Sequence, residues 1–142
     1  KTLTVEDLKL GYRKSVIIAK DYIVLEAVLE LVPAKKEEIQ EKMNEYALAR
    51  RTKQPLEYPS AGSTFKRPVG YFAGKLIDDA GLRGFSYGGA QVSEKHCGFV
   101  INRGDATARD IVTLMKMVNE KVMEKFGVAL EPEVKMIGDF TE

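Results

Sequence analysis

The sequence predicts an α+β fold, a mixed sheet carrying three main helices, and three observations predict it. Two stretches, 35–51 and 107–126, repeat apolar residues every three or four positions, the period of one helix face. Residues 15–32 and 85–102 are instead dense in β-branched and aromatic residues broken by turn formers, the composition of strands. The chain has 142 residues, 44% of them hydrophobic, which is enough to close one core.

Taken in order, residues 1–14 mix charge with Leu3, Leu8 and Leu10 and show no long period. SVIIAKDYIVLEAVLELV (15–32) predicts two strands joined at Lys20-Asp21, a hairpin with Tyr12 and Arg13 at its mouth. An isolated strand-end arginine is most often simply solvated. Pro33 ends the hairpin. The next segment, 35–51, is rich in helix formers, and Ile39, Met43, Tyr46 and Ala47 make a stripe expected to pack in the core. Its acids come early (Glu37, Glu38, Glu41) and Arg50 and Arg51 late, as the helix dipole favours.

PSAGSTFKRP (59–68) then reads as an anion-binding turn centred on Ser63. Gly62 permits φ > 0 or a close approach, Ser63 and Thr64 offer hydroxyls, and Lys66 and Arg67 add positive charge. Arg50, Arg51, Lys53, Lys66 and Arg67 stand against one acid, Glu57, a cluster that suits a phosphorylated ligand; a surface turn with scattered charge is the plainer alternative. A short helix ending near Gly81 follows, with Tyr71, Phe72, Leu76 and Ile77 on its buried side. Two short strands are expected in FSYGGAQVSEKHCGFVIN (85–102). Thr107 and Asp110 form a capping pattern before a helix reaching about Phe126, with Gly127 after its end. Its stripe of Ile111, Leu114, Met115, Val118, Val122 and Met123 is core. ALEPEVKMIGDF (129–140) reads as a final strand, Glu133 on one face with Glu131 and Val134 and Met136 on the other.

Several function classes are argued against. A formal net charge of +1 does not suit a general polyanion binder, and the basic residues lack the aromatic interleaving of a single-strand nucleic-acid platform. His96 and Cys97 have no second His or Cys, so no metal site can be argued, and strand neighbours point to opposite faces, against a Cys-His nucleophilic pair. A lone His is more often a structural hydrogen-bonder. One cysteine excludes an internal disulfide and points to a cytosolic setting. No run approaches the roughly 18 apolar residues of a membrane span, and no signal peptide opens the chain.

Specific strings go further. YRKS (12–15), KQPLEYPSAGSTFKRP (53–68), AGKLIDDAGLRG (73–84), GGAQVSEKHCGFVIN (88–102) and LEPEVKMIG (130–138) resemble, in that order, the UDP-N-acetylenolpyruvoylglucosamine reductases of bacterial peptidoglycan precursor synthesis. The likeness is to the form without the extra tyrosine-bearing loop. It implies a cytoplasmic bacterial enzyme that reduces UDP-N-acetylglucosamine enolpyruvate with NADPH and a bound FAD. It also implies roles: Ser63 as proton donor, Arg13 as partner of the substrate carboxylate, and Glu133 as a group polarising that carboxylate. Lys53, Arg67, Arg83 and His96 carry over as substrate-binding positions, and Tyr12 and Arg50 as positions facing the flavin. Arg67 stands where many relatives have Asn, and His96 where the longer form has Gln.

The family's glycine-rich flavin-binding segment has no counterpart here, and the first residue is Lys1. The expectation is a C-terminal portion: 1–33 as the end of the flavin domain, 34–142 as the substrate-binding domain, and the rest of the parent chain as partner. Alone, it is expected to be inactive. The alternative from another class is a stand-alone module that binds a nucleotide-sugar or other anion without catalysis.

Overall fold

The computed structural model describes residues 1–138. It divides the chain into two units, Lys1–Glu38 and Ile39–Glu142.

The first unit opens with a single helical turn, α1 (Val5–Leu8), held by a capping box. Thr4 Oγ1 accepts from the Asp7 N–H, and the Asp7 carboxylate accepts from the Thr4 N–H. A tight turn over Gly11–Lys14 leads to α2 (Val16–Ala19), and no helix or strand is present over 22–35. The expected hairpin at 15–32 is therefore not formed. Residues 15–20 satisfy their backbone locally, Ala19 and Lys20 donating to the carbonyls of Ser15 and Val16. The apolar run beyond them finds no covering layer within the unit: Ile23 is 87% and Leu25 94% exposed. A two-stranded hairpin without a third strand or a helix on its face is marginal, so β-type composition alone does not produce one.

Helix α3 (Lys36–Lys53) follows the predicted span, with Glu37 and Glu38 in its first turn and Arg50, Arg51 and Lys53 in its last. Its stripe is not core. Ile39, Met43 and Tyr46 are exposed, and no residue of the helix is buried.

Residues 60–138 build the sheet and core of the second unit. The turn expected at 59–68 is instead a strand, β1 (Ser60–Ser63), because β4 offers it a pairing edge. A short helix, α4 (Ala73–Asp79), buries Leu76 and Ile77, whereas Tyr71 and Phe72 before it stay exposed. Three strands rather than two follow: β2 (Ser86–Tyr87), β3 (Ala90–Val92) and β4 (Phe99–Asn102). The sheet order is β1-β4-β3-β2. All three pairings are antiparallel, so the sheet among the described residues is not mixed. Short turns join β2 to β3 and β3 to β4, a connection that only antiparallel neighbours allow.

Helix α5 (Ala108–Phe126) begins at the Thr107–Asp110 capping box and ends at Gly127, as its sequence predicts. It buries Leu114, Met115, Val118 and Val122 against Ala90, Val92 and Val100 of the sheet and Leu76 and Ile77 of α4. Met123 is half exposed and outside that core. The expected strand over 129–140 shrinks to one bridge, Pro132 against Phe65. Pro132 has no N–H to offer a ladder. Positions 139 and 140 of that expectation lie outside the described residues.

Candidate functional site: the Ser63–Glu133 edge

Ser63 is the last residue of β1, paired with Phe99, and its side chain is exposed. The β1–β4 register shifts between Ser60 and Ser63, and Gly62 inside that interval has φ 82°. This is the signature of a bulge, which bends a strand and re-aims the next side chain. A Cβ on Gly62 would meet nothing within 4 Å, so backbone conformation, not space, is what calls for glycine there.

Beyond Ser63 the chain leaves β4 and runs beside residues 131–133. Lys66 N–H donates to the Glu131 carbonyl at 2.8 Å, and Glu133 N–H to the Thr64 carbonyl at 2.9 Å. Between them lies the Phe65–Pro132 bridge. This pairing brings Glu133, half-buried, beside Thr64, the residue that follows Ser63, across 69 positions of sequence. The Lys66 ammonium and the Glu131 carboxylate form an ion pair, so one charge of the expected basic cluster is matched within the protein.

Loop 93–98 borders the same edge. Ser93, buried, accepts the N–H groups of Lys95 and His96 through its hydroxyl at 3.1 and 3.2 Å. His96 Nδ1 accepts the Gly98 N–H at 3.1 Å, which places the ring proton on Nε2, and its ring meets Phe99 edge-on with centroids 5.1 Å apart. A Cβ on Gly98 would lie 2.9 Å from the His96 ring, so a larger residue there would displace the ring. The Gly98 carbonyl accepts the Thr64 N–H at 2.8 Å.

Arg83 forks onto Asp78, Nε to Oδ1 at 3.0 Å and Nη2 to Oδ2 at 2.7 Å, and its remaining arm donates to the Glu94 carbonyl. Arg83 thus ties α4 to loop 93–98. The fork lowers the Asp78 pKa and raises that of Arg83. Cys97 is buried beside this pair, and desolvation pushes its thiol up to about 11. It is protonated and unreactive at neutral pH.

The other expected positions lie more openly. Arg67 stacks on Phe72, its guanidinium 4.0 Å from the ring centroid, and donates from Nε to the Tyr71 carbonyl at 3.4 Å. Lys53 is exposed at the end of α3, and Arg50 Nε donates to Gln54 at 3.2 Å. In the first unit, Tyr12 and Arg13 occupy the centre of the Gly11–Lys14 turn, closed by hydrogen bonds of 3.0 and 3.1 Å. Arg13 has φ 55° and its guanidinium lies 5.5 Å from the Tyr12 ring centroid. That left-handed conformation costs a residue with a side chain about 1–2 kcal/mol.

Sequence reasoning missed Asp78 as the partner of Arg83 and Glu131 as the partner of Lys66. Their spacings of 5 and 65 residues match no local pairing rule. It gave Thr64 a hydroxyl but no task; the structure gives it several.

The described residues do not by themselves fit a flavin dinucleotide. Tyr12 is an exposed ring and Arg50 is engaged by Gln54, and neither adds the cradle of amides that a pyrophosphate needs. No buried side-chain polar atom among the described residues lacks a partner.

Residues 54–137 match the family model described as UDP-N-acetylenolpyruvoylglucosamine reductase, C-terminal domain. The reductase of Agathobacter rectalis is 64% identical over 99% of this chain and 45% of its own length. That of Lachnoclostridium phytofermentans is 61% identical over 97% of this chain and 44% of its own. The crystal structure of the reductase from Thermus caldophilus, 36% identical, superposes with a TM-score of 0.66 over 90% of this chain and 46% of that one. The chain therefore spans just under half the length of the relatives it matches. It belongs to the UDP-N-acetylenolpyruvoylglucosamine reductase family, whose C-terminal domain it contains.

Proposed function

We propose that this chain is the substrate-binding portion of a reductase that converts UDP-N-acetylglucosamine enolpyruvate to UDP-N-acetylmuramate in the bacterial cytoplasm, with FAD and NADPH as its cofactors. Residues 1–33 would belong with the flavin-binding part and 34–142 would bind substrate. The observation that carries the reading is the pairing of 64–66 with 131–133, which brings the backbone of Glu133 to the residue beside Ser63.

Reduction of the enol C=C adds a hydride to the carbon distal to the carboxylate and a proton to the carbon that bears it. The residues here serve the proton side. Hydride addition leaves a carbanion delocalised into the carboxylate, a base strong enough to take a proton from the Ser63 hydroxyl once the two are in contact. The serine then carries the negative charge until solvent returns a proton. Arg13 would fork onto the substrate carboxylate, and Glu133 would polarise it, favouring the enolate-like form. Lys53 and Arg67 would face the diphosphate. Arg83, committed to Asp78 and Glu94, would act by holding loop 93–98, and His96 would contact substrate through Nε2, since Nδ1 accepts from Gly98.

The test is Ser63→Ala in a reductase carrying these residues as its C-terminal portion. Flavin reduction by NADPH should survive while product formation falls by orders of magnitude. Equal loss of both half-reactions would remove Ser63 as proton donor. A chain that binds the sugar nucleotide but gains no turnover when joined to a flavin domain would be a binding module instead.

A further inference from the structure

We propose that Thr64 is a positioning residue for the reaction: it locks Ser63 and Glu133 into one geometry. This deepens the reading of Ser63 as proton donor and rests on it. Thr64 is 3% exposed, and three of its polar groups are used in three directions. Its N–H donates to Gly98 O at 2.8 Å, its carbonyl accepts the Glu133 N–H at 2.9 Å, and its Oγ1 accepts the Val100 N–H at 2.9 Å.

The consequence follows from where these bonds lie. Ser63 sits just past a bulge, where a strand is free to aim its next side chain differently. On the other side of Ser63 the backbone leaves β4 for the 131–133 segment. Thr64 fixes that departure. Its side-chain oxygen stands in for a strand carbonyl on β4, while its main chain bonds loop 93–98 on one side and Glu133 on the other. A residue without that oxygen leaves the Val100 N–H with no side-chain acceptor in a buried position, and relaxation there shifts the neighbours on both sides of the joint. Proton transfer is sensitive to such a shift, because donor and acceptor must meet within hydrogen-bond reach. Substrate affinity, spread over Lys53, Arg67 and other groups, is far less so.

The experiment compares Thr64→Val, Thr64→Ser and Ser63→Ala in the reductase with its flavin bound. Valine keeps the shape and removes the oxygen; serine keeps the oxygen and removes a methyl group. Thr64→Val is expected to lower kcat at least 10-fold with KM changed less than about 3-fold and flavin reduction by NADPH unchanged. Thr64→Ser should recover most of that loss, even where its melting temperature is lowered to the same extent. A Thr64→Val enzyme that melts lower but turns over at the wild-type rate would reduce Thr64 to packing and overturn the proposal. So would equal losses in the valine and serine variants. A Ser63→Ala enzyme with full product formation would instead overturn the proton-donor reading itself, and the role of Thr64 with it.

Discussion

Helices α3 and α5 are nearly the same length, 18 and 19 residues, and both were legible as apolar stripes at helical spacing. Only one is a core element. Leu114, Val118 and Val122 of α5 are fully enclosed by the sheet and α4, whereas Ile39, Met43 and Tyr46 of α3 face outward. The run from Ile23 to Val32 repeats the lesson in the first unit, where apolar residues stand exposed one after another. Hydrophobic pattern states which face a segment can bury. Whether it is buried depends on a second surface of matching shape, which the pattern does not contain. In residues 60–138 that surface exists, because four short strands pair into a sheet with α5 across it.

The largest test of this contrast is a pair of truncations. Leu114→Ala should destabilise the second unit by about 2–5 kcal/mol, from lost transfer energy plus a cavity. Met43→Ala should change stability by no more than about 0.5 kcal/mol. Urea denaturation followed by circular dichroism measures both. Equal effects would mean that α3 is packed as tightly as α5.

A smaller effect reports on the same closure through Cys97. Its thiol is held up to about 11 by burial, against an ordinary value near 9, so the folded state keeps a proton that the unfolded chain gives up first. Stability from this group is complete below pH 9 and drains as pH rises toward 11. Cys97→Ala should flatten that part of the stability profile. In the native chain at pH 8, iodoacetamide should leave Cys97 unmodified, and urea should expose it; fast labelling without urea would contradict the burial.

How much of this was readable beforehand follows from the range of the interactions. The Thr107–Asp110 cap, the α5 stripe and Gly127 are local, and they place that helix between Thr107 and about Phe126, where it is found. The α+β class followed from the same local signals. The hairpin at 15–32, the mixed sheet and the final strand were misread because pairing is decided at long range. The Gly62 bulge was half-visible: the glycine was noticed, but its place in a strand depends on β4, 37 or more residues later. At the candidate site, Ser63 stood out as the centre of a turn, but the catalytic roles of Ser63 and Glu133 came from resemblance to a family. What joins them is backbone pairing around Pro132, which no composition or spacing rule reveals.

Amide hydrogen exchange on the 142-residue chain reads the joint beside Ser63 and the exposed apolar run in one experiment. Slow exchange is expected at Thr64, Lys66 and Glu133, whose N–H groups close the joint between β1, loop 93–98 and the 131–133 segment. Unprotected exchange is expected over residues 23–32, which belong to neither helix nor strand. Protection running through 23–32 with free exchange at Glu133 would contradict both expectations, for the apolar run would then be paired and the Ser63–Glu133 edge would not be built.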